Sequence, residues 1–282
     1  MRVGVLGGGL QGCCAALALA DRGAQVALFD RNQALVTRAG AANEGKIHLG
    51  YMYAGDPSLR TAKTMMKGAL AFEPFLKRYL ASTSPALEPS VAATYVIHRD
   101  AQLPSGQIAH YLNEVHDLIA EMAGRRPSTY FGMDLERRPR RWAAAERKAS
   151  FNAELAVDAY ETAEVAINPQ VLAEALRQCI SAHPLIETRL GCEIVDAVEE
   201  ANHIRVLGRD ANGVVEERFD QIINALWDGR LALNEAVGMP AGRAWIHRLK
   251  YGVGFRLPKG AEFPPSVTIV LGPFGEVVSY GE

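Results

Sequence analysis

Three glycines and one aspartate carry the first chemistry legible in this 282-residue chain. Gly7, Gly9 and Gly12 follow an apolar run from Val3 to Leu6, and Asp30 closes a second run from Gln25 to Phe29, with seventeen residues between Gly12 and Asp30. In a βαβ unit that spacing serves a dinucleotide: Gly7 makes the tight turn, Gly9 lets the backbone approach a pyrophosphate, and Gly12 lets the helix pack on the strand. Leu10 and Gln11 open an alanine-rich helix whose free N–H groups and positive dipole end suit phosphate. Asp30 suits the hydroxyls of an adenosine ribose and disfavours a 2′-phosphate, while Arg31 beside it reads as a solvated charge. A second chemical cluster follows in the loop from Ala41 to Tyr51, where Asn43, Glu44, Lys46 and His48 stand among small residues; loops after a nucleotide-binding strand commonly carry function.

The elements that position these residues follow from periodicity. A helix starts after Asp56-Pro57-Ser58, with Leu59, Ala62, Met65, Met66, Ala69, Leu70 and Leu76 at helical spacing, so its methionines read as core. Val91 to His98 reads as a strand, and Ser105 caps a second helix striped by Ile108, Leu112, Val115 and Ile119 and ended by Gly124. His110 and His116 on that helix read as surface histidines. Residues Arg125 to Ser150 have no clear period and read as an excursion between domains, with Arg137-Arg138-Pro139-Arg140-Arg141 as a solvated loop. Tyr160 to Ile167 reads as a strand, and Asn168-Pro169 as the start of another helix. Gly191 to Val198, Ile204 to Gly208 and Val214 to Phe219 form a β-meander around the Asn212-Gly213 hairpin signal. Gln221 to Trp227 is a buried strand, and Val253 to Leu257 and Ser266 to Leu271 are antiparallel candidates.

Composition narrows the classes. The chain is 49% hydrophobic and 22% charged, with net charge −2, which supplies no global field for nucleic acid or an anionic membrane. Cys13, Cys14, Cys179 and Cys192 show no metal-ligand or disulfide spacing, so no metal site is expected. No apolar run reaches membrane-spanning length, so a cytoplasmic location is the expectation.

These pieces together resemble the FAD-dependent oxidoreductases of the D-amino-acid oxidase type. The resemblance is carried by Gly7-x-Gly9-x-x-Gly12 with Ala16 and Asp30, by Asn43-Glu-Gly-Lys-Ile-His48-Leu-Gly, by Ile167-Asn-Pro-Gln-Val-Leu before a helix, and by Ile223-Asn224-Ala225 after the meander. It implies an α/β fold: a Rossmann-like FAD-binding domain with a β-meander, over residues 1–80 and 151–230, interleaved with an α+β antiparallel-sheet substrate domain over 81–150 and 231–282. It further implies FAD as cofactor, held by Gly7, Gly9, Leu10, Gln11, Gly12, Asp30, Arg31, Asn43, Glu44, Gly45, Ile194, Asn224 and Ala225, with Ile194 offering backbone to the adenine.

The 43–50 loop is most similar to that of L-2-hydroxyglutarate dehydrogenase, which implies that His48 takes a substrate proton or else only packs. Lys46 is read either as a cation for the reduced flavin's negative charge or as a solvated lysine. The implied activity is oxidation of a C–N or C–OH bond of a small amino acid, amine or 2-hydroxy acid, by hydride transfer to flavin. Two other readings stand beside it: a shortened, non-catalytic flavin or nucleotide binder within a larger assembly, and an NAD-dependent dehydrogenase. Relatives continue into a strand, glycine turn and helix that close over the flavin. The expectation here is that this closure is missing, that FAD binds weakly, and that a partner chain or homo-oligomer covers the gap.

Overall fold

The structure, a computed structural model, describes residues 1–80, 87–124, 130–247 and 250–280. The start of the 125–150 excursion, including Pro127, and the last two residues lie outside them. In chain order the first half comprises β1 (Arg2–Leu6), α1 (Leu10–Ala20), β2 (Gln25–Asp30), α2 (Arg60–Leu80), β3 (Ala93–His98), α3 (Ser105–Gly124), β4 (Arg140–Arg141), α4 (Ala144–Ser150) and β5 (Ala156–Glu161). The second half comprises α5 (Pro169–Ala182), β6 (Ile186–Leu190), β7 (Glu193–Glu200), β8 (His203–Asp210), β9 (Gly213–Phe219), β10 (Gln221–Asn224), α6 (Arg230–Ala236), β11 (Ser266–Val270) and β12 (Glu276–Val277). Among the described residues no helix is long and apolar enough to cross a membrane.

The chain divides into two compact units. One is formed by Met1–Asn43 and Pro169–Val253, the other by residues 44–80, 87–168 and 254–280. The first holds a parallel sheet in the order β10-β1-β2-β6 and an antiparallel meander β7-β8-β9. Leu6, Ala27 and Phe29 pack there with Ala197, Val206, Phe219 and Leu233, and Phe29 meets Phe219 edge to face. The meander hairpin turns on Ala211-Asn212: Asp210 Oδ1 accepts from the amides of Asn212 (2.7 Å) and Gly213 (3.1 Å), and Gly213 takes the left-handed φ of +129°.

The second unit is built on the sheet β12-β11-β3-β5-β4. Its β11 runs parallel to β3, against the antiparallel expectation, while the other three pairings are antiparallel. The stripes of α2 (Ala62, Met66, Ala69) and α3 (Ile108, Leu112, Val115, Ile119) share one apolar core with Tyr95 and Ile97 of β3.

That shared core is why the unit borders differ from those read in the sequence. Residues 44–80 pack with the second unit because α2 needs the α3 stripe to bury its own, and 151–168 follow because β5 pairs with β3. Residues 231–253 join the first unit, with Leu233 in its core.

Several local expectations also shift. The strand read at Tyr160–Ile167 lies earlier, at Ala156–Glu161, and Val253–Leu257 forms no strand: interrupted by Gly254 and flanked by Gly252 and Pro258, it has no pairing partner among the described residues and exposes Val253 and Phe255. Ser105 is the first residue of α3, and Pro104 supplies the carbonyl that receives the first-turn amides. His116 is buried, whereas His110 is exposed. Met65 faces out and only Met66 of that pair is core. The arginine cluster is ion-paired: Arg138 with Asp117 (2.6 Å), Arg140 with Glu146 (2.9 Å) and Glu161 (2.8 Å), and Arg141 with the buried Asp158 (2.9 Å).

Candidate functional site

In the first unit the glycine turn owes its shape to backbone approach. Gly7 has φ +108°, and a Cβ on it would stand 2.4 Å from the Ala225 carbonyl oxygen; one on Gly12 would stand 1.8 Å from the Gly7 carbonyl oxygen. Both therefore serve the packing of turn, α1 and the end of β10. Gly9 differs, because a Cβ there meets nothing within 4 Å. The protein itself does not need a glycine at that position, which leaves open space directly before the helix.

The first α1 hydrogen bond runs from Cys13 N to Gly9 O (2.9 Å), so the amides of Leu10, Gln11 and Gly12 lie outside the helix ladder and can face an anion. Asp30 Oδ2 accepts from Gly8 N (2.9 Å), and Oδ1 accepts from the backbone (2.8 Å) and side-chain (2.7 Å) nitrogens of Asn32. A carboxylate has about four lone-pair sites, so capacity remains for a ribose hydroxyl. Together the open space at Gly9, the orphan amides and the oriented carboxylate fit the pyrophosphate and ribose of a dinucleotide.

Around this turn, Ala225 N bonds Leu6 O (2.7 Å), and the Asn224 amide donates to Arg230 O (3.1 Å) and Asn234 Oδ1 (2.9 Å). Arg31 is not simply solvated: it pairs with Asp228 at 2.8 Å, both side chains part-exposed. Ile194 pairs with Gly208 at a bulge in the meander, and Asn43 donates to the carbonyls of Ala39 (2.8 Å) and Gly40 (3.0 Å). Cys13 is buried in α1, and that burial pushes its thiol up to about 12.

Glu44, Gly45, Lys46 and His48 belong to the second unit. Glu44 O accepts from Tyr280 OH (2.6 Å), and Gly45 O accepts from Ile167 N (2.9 Å). Lys46 is not solvated: its side chain is 2% exposed, its Nζ stands 2.9 Å from Glu276 Oε1, hydrogen-bonds Thr268 Oγ1, and lies 5.2 Å over the Tyr95 ring.

His48 Nδ1 stands 3.1 Å from Oε1 of Glu164, a carboxylate with no exposure. The same Glu164 accepts from Leu49 N (2.7 Å) and from Tyr95 OH. Burial alone would lower the His48 pKa, but the charge and hydrogen bond of Glu164 outweigh it and the net direction is up. For Glu164 burial pushes up, yet His48, Lys46 and Tyr95 hold it below the usual glutamate range.

Sequence reading did not single out Glu164, Tyr95, Thr268 or Glu276. The available signal was Glu164 itself, one acid inside the apolar stretch Ala163-Glu164-Val165-Ala166-Ile167.

The sequence profile of the FAD-dependent oxidoreductase family, DAO, matches residues 2–258. Among solved structures, the chain is similar to glycine oxidase from Geobacillus kaustophilus (TM-score 0.60, 18% identity, covering 84% of this chain and 58% of that one). It is similar also to FAD-bound L-α-glycerophosphate oxidase from Mycoplasma pneumoniae (TM-score 0.56, 19% identity, 84% and 56%). A third is iminodiacetate oxidase from Chelativorans sp. BNC1 (TM-score 0.54, 20% identity, 84% and 57%). The chain thus spans less than two thirds of the length of each of these relatives. No curated protein sequence matches it.

Proposed function

The chain belongs to the FAD-dependent oxidoreductase family, and from that membership we propose that it oxidises a C–N or C–OH bond of a small amino acid, amine or 2-hydroxy acid. The observation that carries the reading is the contact of His48, in the 43–50 loop, with the fully buried carboxylate of Glu164. Similar structures named glycine oxidase, iminodiacetate oxidase and glycerophosphate oxidase span both bond types and support leaving both open.

Bound FAD supplies the two-electron sink. The chain's own part is to bind, to orient and to move a proton. The amides of Leu10 to Gly12 and the space at Gly9 receive the pyrophosphate, and Asp30 receives the ribose. His48 takes the proton that the substrate heteroatom loses on oxidation, at the ring nitrogen not engaged by Glu164. Lys46 anchors the loop through Glu276, 2.9 Å away, which offsets part of its charge; it fixes the position of His48 two residues on and also acts to lower the His48 pKa.

Equilibrium dialysis against FAD and NAD, followed by anaerobic bleaching with amino acids, amines and 2-hydroxy acids, tests this. FAD is expected to be retained, NAD to wash out, and one substrate class to bleach the flavin. Stoichiometric FAD that no class bleaches would mean a non-catalytic binder.

A further inference from the structure

We propose that Glu164 is the positioning residue of the site: it holds His48 as the Nδ1–H tautomer and so leaves Nε2 as the nitrogen that accepts a proton. The inference rests on the oxidase reading above for its use, but its evidence is geometric and lies wholly within the second unit.

An ionised carboxylate accepts hydrogen bonds and donates none. With Glu164 Oε1 3.1 Å from His48 Nδ1, the proton on that contact belongs to the imidazole, which fixes the tautomer of the neutral ring. A carboxylate with no exposure is costly unless its lone pairs are engaged, and here the engaging donors come from three places: the His48 ring, the Leu49 amide next to it at 2.7 Å, and the Tyr95 hydroxyl on β3.

The backbones on either side are tied as well. Ile47 N donates to Val165 O (3.0 Å), and Tyr130 OH donates to Ile47 O (2.5 Å) while accepting from Val165 N (3.1 Å). The residues preceding His48 and following Glu164 are therefore held to each other independently of the side-chain contact. Such support from surrounding groups is what keeps a reacting group within the narrow geometry that proton transfer needs.

The charged and titratable groups facing His48 are Glu164, Lys46, Glu276 and Tyr53, whose ring centroid lies 5.9 Å from that of His48. Glu164 acts to raise the His48 pKa, and burial and Lys46 act to lower it. Two substitutions should then move His48 in opposite directions. Glu164→Gln removes the charge and keeps the shape, so His48 should titrate about one pH unit or more lower. Tyr95→Phe removes one donor from Glu164 Oε1 and keeps the ring over Lys46, which leaves the carboxylate a stronger acceptor for Nδ1–H, so His48 should titrate higher.

The test is ¹⁵N NMR of the histidine side chains in the full chain without flavin, with a His48→Asn variant to assign the resonance. The expected result is an Nδ1–H tautomer at high pH, a midpoint above that of an ordinary histidine, a fall in Glu164→Gln and a rise in Tyr95→Phe. In the FAD-loaded protein, the ascending limb of kcat against pH should follow both midpoints. An Nε2–H tautomer in the parent protein, or a midpoint that neither substitution moves, overturns the proposal, and the tautomer and Tyr95→Phe decide it alone if Glu164→Gln does not fold. Midpoints that move as stated in a protein whose flavin no substrate bleaches would uphold the Glu164 assignment and sink the oxidase reading instead.

Discussion

Lys46→Met is expected to destabilise the second unit by about 3–5 kcal/mol, the usual cost of removing one partner from a buried ion pair. The side chains of Lys46 and Glu276 are 2% and 14% exposed, so the carboxylate left behind could recover little hydration, and Thr268 would lose its donor. The double change Lys46→Met with Glu276→Leu should recover most of the loss, because replacing both members by apolar groups of similar volume is often neutral. Urea denaturation of the parent, the two single variants and the double variant, treated as a double-mutant cycle, measures this. Single variants within about 0.5 kcal/mol of the parent would show that the contact carries no stability, and the anchoring role given to Lys46 would fall with it.

Two glycine substitutions three residues apart should separate binding from folding. Gly9→Val places its side chain in open space, so the fold should survive with unchanged melting while FAD affinity falls about 100-fold or more, some 2.7 kcal/mol. Gly12→Val instead drives a Cβ to within 1.8 Å of the Gly7 carbonyl oxygen, and α1 must move off the turn. Overpacking of that kind costs about 1–3 kcal/mol, so this variant should lose stability and flavin together. Thermal melts by circular dichroism beside FAD dialysis distinguish the two outcomes. A folded Gly9→Val protein with parental FAD affinity would show that the pyrophosphate lies elsewhere.

The contrast between these two regions reflects how far apart in sequence their partners are. Within the first thirty residues, turn, helix and acid are legible from spacing, since β1, α1 and β2 are adjacent in the chain and Gly12 packs on Gly7 five residues earlier; only the approach of Gly7 to Ala225 comes from far along the chain. The same locality made the β8–β9 hairpin, one residue off in its turn, and the stripes of α2 and α3 legible. Residue types were enough there to determine a nucleotide-binding βαβ unit and to mark the 43–48 loop as chemical.

Tertiary structure decided which partners the charged side chains of that loop have. Glu164 meets His48 across 116 residues of sequence, and Glu276, far along the chain, neutralises Lys46. No periodicity encodes such pairs, because burial of a charge depends on which elements close over it. The same reason explains the arginines between 137 and 141, whose acids lie on α3, α4 and β5, and His116, whose place on α3 became interior only when that helix packed. It explains Val253–Leu257 in reverse: alternation proposes a strand, but a strand exists only where another supplies its hydrogen bonds.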